Sequence, residues 1–134
     1  MTMQELKSIR IHRKRIRELD EAIVTLRSEM EKITPSMSDA PCKPTGGDKR
    51  AGQIARMVEL KTERIERYTL LEGAIDRVET WLYTLPEQQA KVMRAYYIIS
   101  KFSDSRGWED AAKITGYSVR HVWRIKKVAH QKLE

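Results

Sequence analysis

The chain has 134 residues, enough for one ordinary domain or two small ones, and with six glycines and four prolines it is too poor in turn formers for a β-rich fold. Hydrophobic residues make up 40% and charged residues 34%, a balance that suits long helices with narrow apolar stripes and argues against a thick core. The formal net charge of +7 favours a polyanionic partner, nucleic acid or an anionic membrane surface.

The first predicted element runs from about Met3 to Ile33 and carries a sustained heptad. Ile9, Ile16, Ile23 and Met30 fall at one position of the repeat, and His12, Leu19, Leu26 and Ile33 at the other. Charged residues separate them and nothing breaks the helix, so both rows share one narrow face. Residues 34–47 change character: Pro35, Pro41, Pro44, Gly46 and Gly47 sit among small polar residues and read as a flexible loop. Asp48 is the expected N-cap of a second long helix reaching about Thr84. Its apolar positions are Ile54, Val58, Ile65, Tyr68, Leu71, Ile75, Val78 and Leu82, with Lys61 interrupting. Two amphipathic helices, each on the order of 50 Å long, joined by a loop predict an antiparallel hairpin over residues 1–84. A pair of helices buries only a thin strip, so the hairpin is expected to pack on the C-terminal part or on a second copy. The heptads of the first helix are the expected homodimer contact, although they fit intramolecular pairing equally well.

Leu85 and Pro86 open a second predicted domain, residues 85–134. Pro86 suits a first helical turn and Glu87 complements the positive helix end. Val92, Met93, Tyr96, Tyr97 and Ile99 give this helix a broad apolar face. A polar turn is expected over 100–107, a short helix over 108–115, then Gly116, then a last helix from Ser118 to about Leu133.

The last two helices carry the pattern of a helix-turn-helix. That motif needs a small residue where its helices meet, a glycine able to turn left-handed, and apolar anchors on the inner face of the second helix. Ala112 stands four residues before Gly116, and Val122 and Ile125 supply the anchors, extended by Val128 or Ala129. Tyr117 follows the glycine as an apolar plug, and Ser118 is placed to cap. With Val122 and Ile125 inward, Arg120, His121, Arg124 and Lys127 point outward. Arginine near the start of such a helix can pair with guanine O6 and N7, while Lys126, Lys127 and Lys132 further along suit phosphates. Trp123 is expected to pack on the preceding helix, with a thymine methyl as the other reading. These charges also fit an ordinary solvated helix, but from Ser118 onward only Glu134 opposes them.

Several residues in 85–134 resemble region 4 of bacterial sigma factors. They are Leu85-Pro86-Glu87, the run from Val92-Met93 to Tyr96-Tyr97, Trp108-Glu109-Asp110-Ala111-Ala112, and Gly116-Tyr117-Ser118-Val119-Arg120-His121-Val122. In this respect the chain more closely resembles small sigma-like regulators of phages and prophages, the ArpU/RinA-like late-transcription regulators. Ile33-Thr34-Pro35-Ser36-Met37-Ser38-Asp39 looks like a hinge some of them carry. The resemblance implies promoter or operator recognition in double-stranded DNA, with host RNA polymerase as a further partner. It points to Ser118, Arg120, His121 and Arg124 as readers. Two positions depart from the pattern: the 100–107 turn is longer, and Ala111 replaces a larger aliphatic residue.

A second basic patch, Arg10, Arg13, Lys14, Arg15 and Arg17, is read either as solvated surface or as phosphate contacts that lengthen the DNA footprint. His12, His121 and His130 lack partners at metal-ligand spacing, Cys42 is a lone thiol, and Glu59, Glu63 and Glu66 fit exposed ion pairs. No phosphate-binding loop or nucleophile motif is present, so neither enzyme activity nor a cofactor is expected. No stretch reaches the roughly 18–20 apolar residues of a membrane span, and a cytoplasmic, nucleoid-associated setting is expected. The expectation is an all-α, sequence-specific transcription regulator. The alternatives are a DNA-packaging protein resembling a terminase small subunit, and a coiled-coil interaction module.

Overall fold

The computed structural model describes residues 1–33, 44–102 and 104–134, which form helices joined by turns, with no strand among them. The chain is all-helical. None of its described helices is long and apolar enough to cross a membrane.

Helix α1 spans Met3–Ile33. Thr2 and Glu5 cap its start reciprocally: the Thr2 amide donates to Glu5 Oε2 at 2.8 Å, and the Glu5 amide donates to the Thr2 hydroxyl at 3.2 Å. The Thr2 amide hydrogen bond is the main cause holding the Glu5 carboxyl below its ordinary range. Helix α2 spans Pro44–Leu82 and so begins four residues before the expected cap, Asp48. Proline at a first helical turn has its φ already set and gives up an amide that would have no intrahelical partner. Pro44, Gly46 and Gly47 therefore open this helix, and Asp48 lies within it. The rest of the expected loop, with Cys42, lies outside the described residues.

Two compact units divide the described chain, Lys14–Thr69 on the one hand and Met1–Arg13 with Leu70–Glu134 on the other. Leu6 and Ile9 near the start of α1, and Leu71, Ala74, Val78 and Leu82 toward the end of α2, are buried members of the unit that holds the C-terminal helices.

In the Lys14–Thr69 unit, Leu19, Ile23 and Leu26 from α1 and Leu60 from α2 form one buried cluster, with Ala22, Met30 and Met57 packed at its edge. From the heptad rows of α1, Leu19, Ile23 and Leu26 are buried within this unit. The register of α2 differs from the expected one. Ile54, Val58, Ile65 and Tyr68 are all exposed, and Met57 and Leu60 take the inward places. Stepping back by sevens from Leu71 and Ala74 gives Arg64 and Arg67, then Met57 and Leu60, so the true row contains two arginines. Cross-helix ion pairs accommodate that polarity, Arg64 to Asp20 at 3.0 Å and Arg15 to Glu63 at 2.9 Å. Both pairs are partly exposed and add little stability, but they fit only one register.

The other unit contains α3 (Glu87–Arg94), a π-helical turn (Ala95–Ile99), α4 (Ser105–Thr115) and α5 (Val119–His130). Helix α3 packs on α5, the π turn on α4, and α4 on α5. Arg94 ties α3 to Glu79 of α2 at 2.8 Å, which raises the guanidinium pKa and lowers that of the carboxyl. Val92, Met93, Tyr96 and Tyr97 are buried as expected, but Ile99 is 53% exposed. In the π turn the Ser100 amide donates to the Ala95 carbonyl at 2.8 Å, an extra residue per turn that swings Ile99 out and buries Ser100. Helix α4 starts three residues earlier than expected because Asp104 caps it, accepting from the Arg106 amide at 3.0 Å. Gly107, placed in a turn by the sequence reading, is inside α4. A Cβ there would stand 2.5 Å from Tyr96 Cε2 and 2.7 Å from the Phe102 carbonyl oxygen, so the close packing of α4 on the π turn requires glycine.

Candidate nucleic-acid interface

The geometry starts at Gly116. Its φ of +79° is left-handed, a conformation that glycine adopts without a Cβ penalty, and its amide closes α4 on the Ala112 carbonyl at 2.9 Å. Three residues, Gly116, Tyr117 and Ser118, separate the helices. Ser118 Oγ then accepts from the His121 amide at 3.2 Å and caps α5. Ala111 and Ala112 on α4 are buried, as are Val122, Ile125 and Ala129 on α5. Ala111 is fully enclosed, so the smaller side chain leaves no exposed gap.

With those three side chains inward, the opposite side of α5 presents Arg120, Trp123, Arg124, Lys127 and Gln131, which line a shallow groove. Arg120, Arg124 and Lys127 are exposed, and none of them forms an ion pair or hydrogen bond with a described residue. No acidic residue lies on α5. The sequence-expected residues Arg120, Arg124 and Lys127 are thus brought together, three to four residues apart on one helix face.

The remaining expected residues are engaged elsewhere. Ser118 serves as the cap. His121 is half-buried, its ring edge-on to Tyr117 with centroids 5.1 Å apart. Lys132 donates to Gln89 Oε1 at 2.8 Å. Lys126, expected at a phosphate, instead folds back so that Nζ lies 4.8 Å from the Trp108 ring centroid and 4.1 Å from that of Trp123. Attraction to two indole faces, together with a long stem that packs on them, explains this placement. Burial lowers the pKa of the Lys126 ammonium.

The five cations of the proposed N-terminal patch are not presented as a set. Arg10 lies over the Tyr96 ring, 4.1 Å from its centroid, donating to the Tyr96 hydroxyl at 3.0 Å and its carbonyl at 2.7 Å. The π turn sends the Ser100 amide to Ala95 rather than to the Tyr96 carbonyl, which accepts from this guanidinium. Arg13 is half-buried, and burial foremost, then Arg10, pulls its pKa down. Arg15 pairs with Glu63 and Glu18, leaving Lys14 and Arg17 exposed.

Trp123 meets α4 as the favoured reading expects, its ring tilted against Trp108 at 6.3 Å between centroids, while 43% of the residue remains exposed beside the groove. His130 Nε2 lies 2.9 Å from the Tyr97 hydroxyl, and burial foremost, then Lys126 and Lys7, lowers the imidazole pKa. Burial likewise pushes the Tyr97 phenol pKa up. The seven-residue step from Trp123 to His130 was the available signal that both lie on the flank of α5 facing Trp108. Among the described residues no group of three histidine, cysteine or acidic side chains is placed to hold a metal ion. No protein-family model matches the chain, and no curated protein or solved structure is significantly similar to it.

Proposed function

We propose that this protein is a sequence-specific DNA-binding regulator of transcription, in which α4 and α5 form a helix-turn-helix and α5 enters the major groove. The observation that carries the reading is the outer row of α5: Arg120, Arg124 and Lys127, exposed and without carboxylate partners, opposite the Val122, Ile125 and Ala129 anchors. In this reading the left-handed Gly116 and the Ser118 cap set the angle at which α5 leaves α4. Arg120 and Arg124 read guanine edges, each good bidentate contact contributing roughly 1–3 kcal/mol of discrimination, and Lys127 neutralises a phosphate. Helices α1 and α2 act as a helical hairpin whose ends brace this module. The likeness of the C-terminal third to sigma region 4 supports a role at promoters of phage or prophage genes, with host RNA polymerase as the further partner.

Selection of bound sequences from random duplex DNA at physiological salt tests the proposal. The expected result is a motif that Arg120→Ala and Arg124→Ala each relax at distinct positions. Recovery of no motif would contradict it.

A further inference from the structure

Five side chains of the C-terminal unit form a continuous series of ring and cation–ring contacts. The Arg10 guanidinium lies 4.1 Å from the Tyr96 ring centroid, and Tyr96 stacks on Trp108 at 3.6 Å with the planes 5° apart. Lys126 Nζ lies 4.8 Å from the Trp108 ring centroid and 4.1 Å from that of Trp123, whose ring is tilted 40° from Trp108. Cations and aromatic faces attract at such distances. The series begins on α1, passes through the buried π turn and α4, and ends at Trp123 on α5.

An exposed tryptophan held in this way is an unusual surface residue. One face of the indole is occupied by Lys126, and 43% of the residue remains open toward the groove that Arg120, Arg124 and Lys127 also line. Trp123 follows Arg120 by three positions and precedes Lys127 by four, so it shares their face of the helix. Its ring nitrogen can only donate, and the rest of its surface is apolar. In the major groove the one apolar feature of a base edge is the 5-methyl group of thymine.

We infer that Trp123 is a specificity-determining residue, its indole contacting the methyl group of a thymine next to a base read by Arg120 or Arg124. This rests on the DNA-reading proposal and adds a second kind of readout to it. Lys126 becomes a positioning residue, which accounts for a lysine on the reading helix that is turned away from phosphate.

Uracil tests the inference, since it differs from thymine only by that methyl group. Each thymine of a selected site is replaced singly by uracil, and affinities are measured with the unaltered protein and with Trp123→Ala and Trp123→Phe. The expected result is one position where uracil weakens binding by the unaltered protein about fourfold, the loss for one buried methyl. Trp123→Ala should bind the thymine and uracil forms equally, and Trp123→Phe should keep part of the preference. The first comparison uses unaltered protein, so a poorly folded variant cannot produce or mask it. A motif in which every thymine tolerates uracil, or a preference that survives in Trp123→Ala, overturns the assignment while leaving the DNA-reading proposal standing. A selection that returns no motif overturns both.

Discussion

Within Lys14–Thr69 three arginines meet carboxylates, whereas along the outer row of α5 the arginines meet none among the described residues. Arg15 meets Glu63 and Glu18, Arg64 meets Asp20, and Arg56 meets Glu59, while Arg120 and Arg124 have no such partner. The cores differ in parallel. A thin aliphatic strip, Leu19, Ile23, Leu26 and Leu60, serves the first unit, and the second holds an aromatic cluster around Trp108. A count of basic residues therefore does not locate a polyanion surface. Arg15 and Arg64 bridge α1 and α2, whereas Arg120 and Arg124 stand on a helix anchored by Val122, Ile125 and Ala129 with no carboxylate partner among the described residues.

The largest expected effect tests the dependence of the α5 surface on the aromatic cluster. Trp108→Ala should cost about 3–5 kcal/mol in denaturant unfolding, the range for deleting a buried tryptophan. It should also abolish DNA binding by loosening the support beneath Trp123 and Lys126. Gly107→Ala comes next: crowding against Tyr96 and the Phe102 carbonyl should cost about 1–3 kcal/mol in the same measurement, with α1 and α2 still helical by circular dichroism. A smaller effect is expected from acid. His130 is held neutral in the fold with its pKa below the ordinary 6.5, so its contribution to stability is complete above that value. That contribution fades as the pH falls from 6.5 through the lowered folded pKa, where the unfolded chain binds the extra proton. Melting temperatures should therefore drop across this window, and the drop should shrink in His130→Gln. The smallest change is expected from Arg15→Ala, which removes partly exposed ion pairs and should leave the melting temperature almost unmoved.

Legibility in the sequence followed how local the signal was. The span of α1 was readable because the heptad and the absence of breakers agree over its whole length. Gly116 with Ala112, Val122 and Ile125 likewise specified the last turn and the inner face of α5. In α2, two apolar rows competed. The row through Ile54, Val58 and Ile65 is greasier, yet Met57 and Leu60 are the residues that pack on Leu19, Ile23 and Leu26 of α1, with Arg64–Asp20 and Arg15–Glu63 pairs beside them. Such a choice depends on contacts more than forty residues away in the chain, as with Arg15 and Glu63. Arg10 and Lys126 were misread for the same reason. A cation drawn onto a distant aromatic ring looks, in sequence, like one that points to water. The π turn was equally hidden, and it alone decides that Ile99 faces out and that Arg10 finds the Tyr96 carbonyl.

The salt dependence of DNA affinity tests most directly whether unpaired cations, and not basic residues in general, make the DNA contact. Lys127→Ala should flatten the slope of log affinity against log salt by about 0.9, one released counterion, while Arg15→Ala should leave the slope of the unaltered protein in place. An unchanged slope for Lys127→Ala, or an equal flattening for Arg15→Ala, would contradict the account.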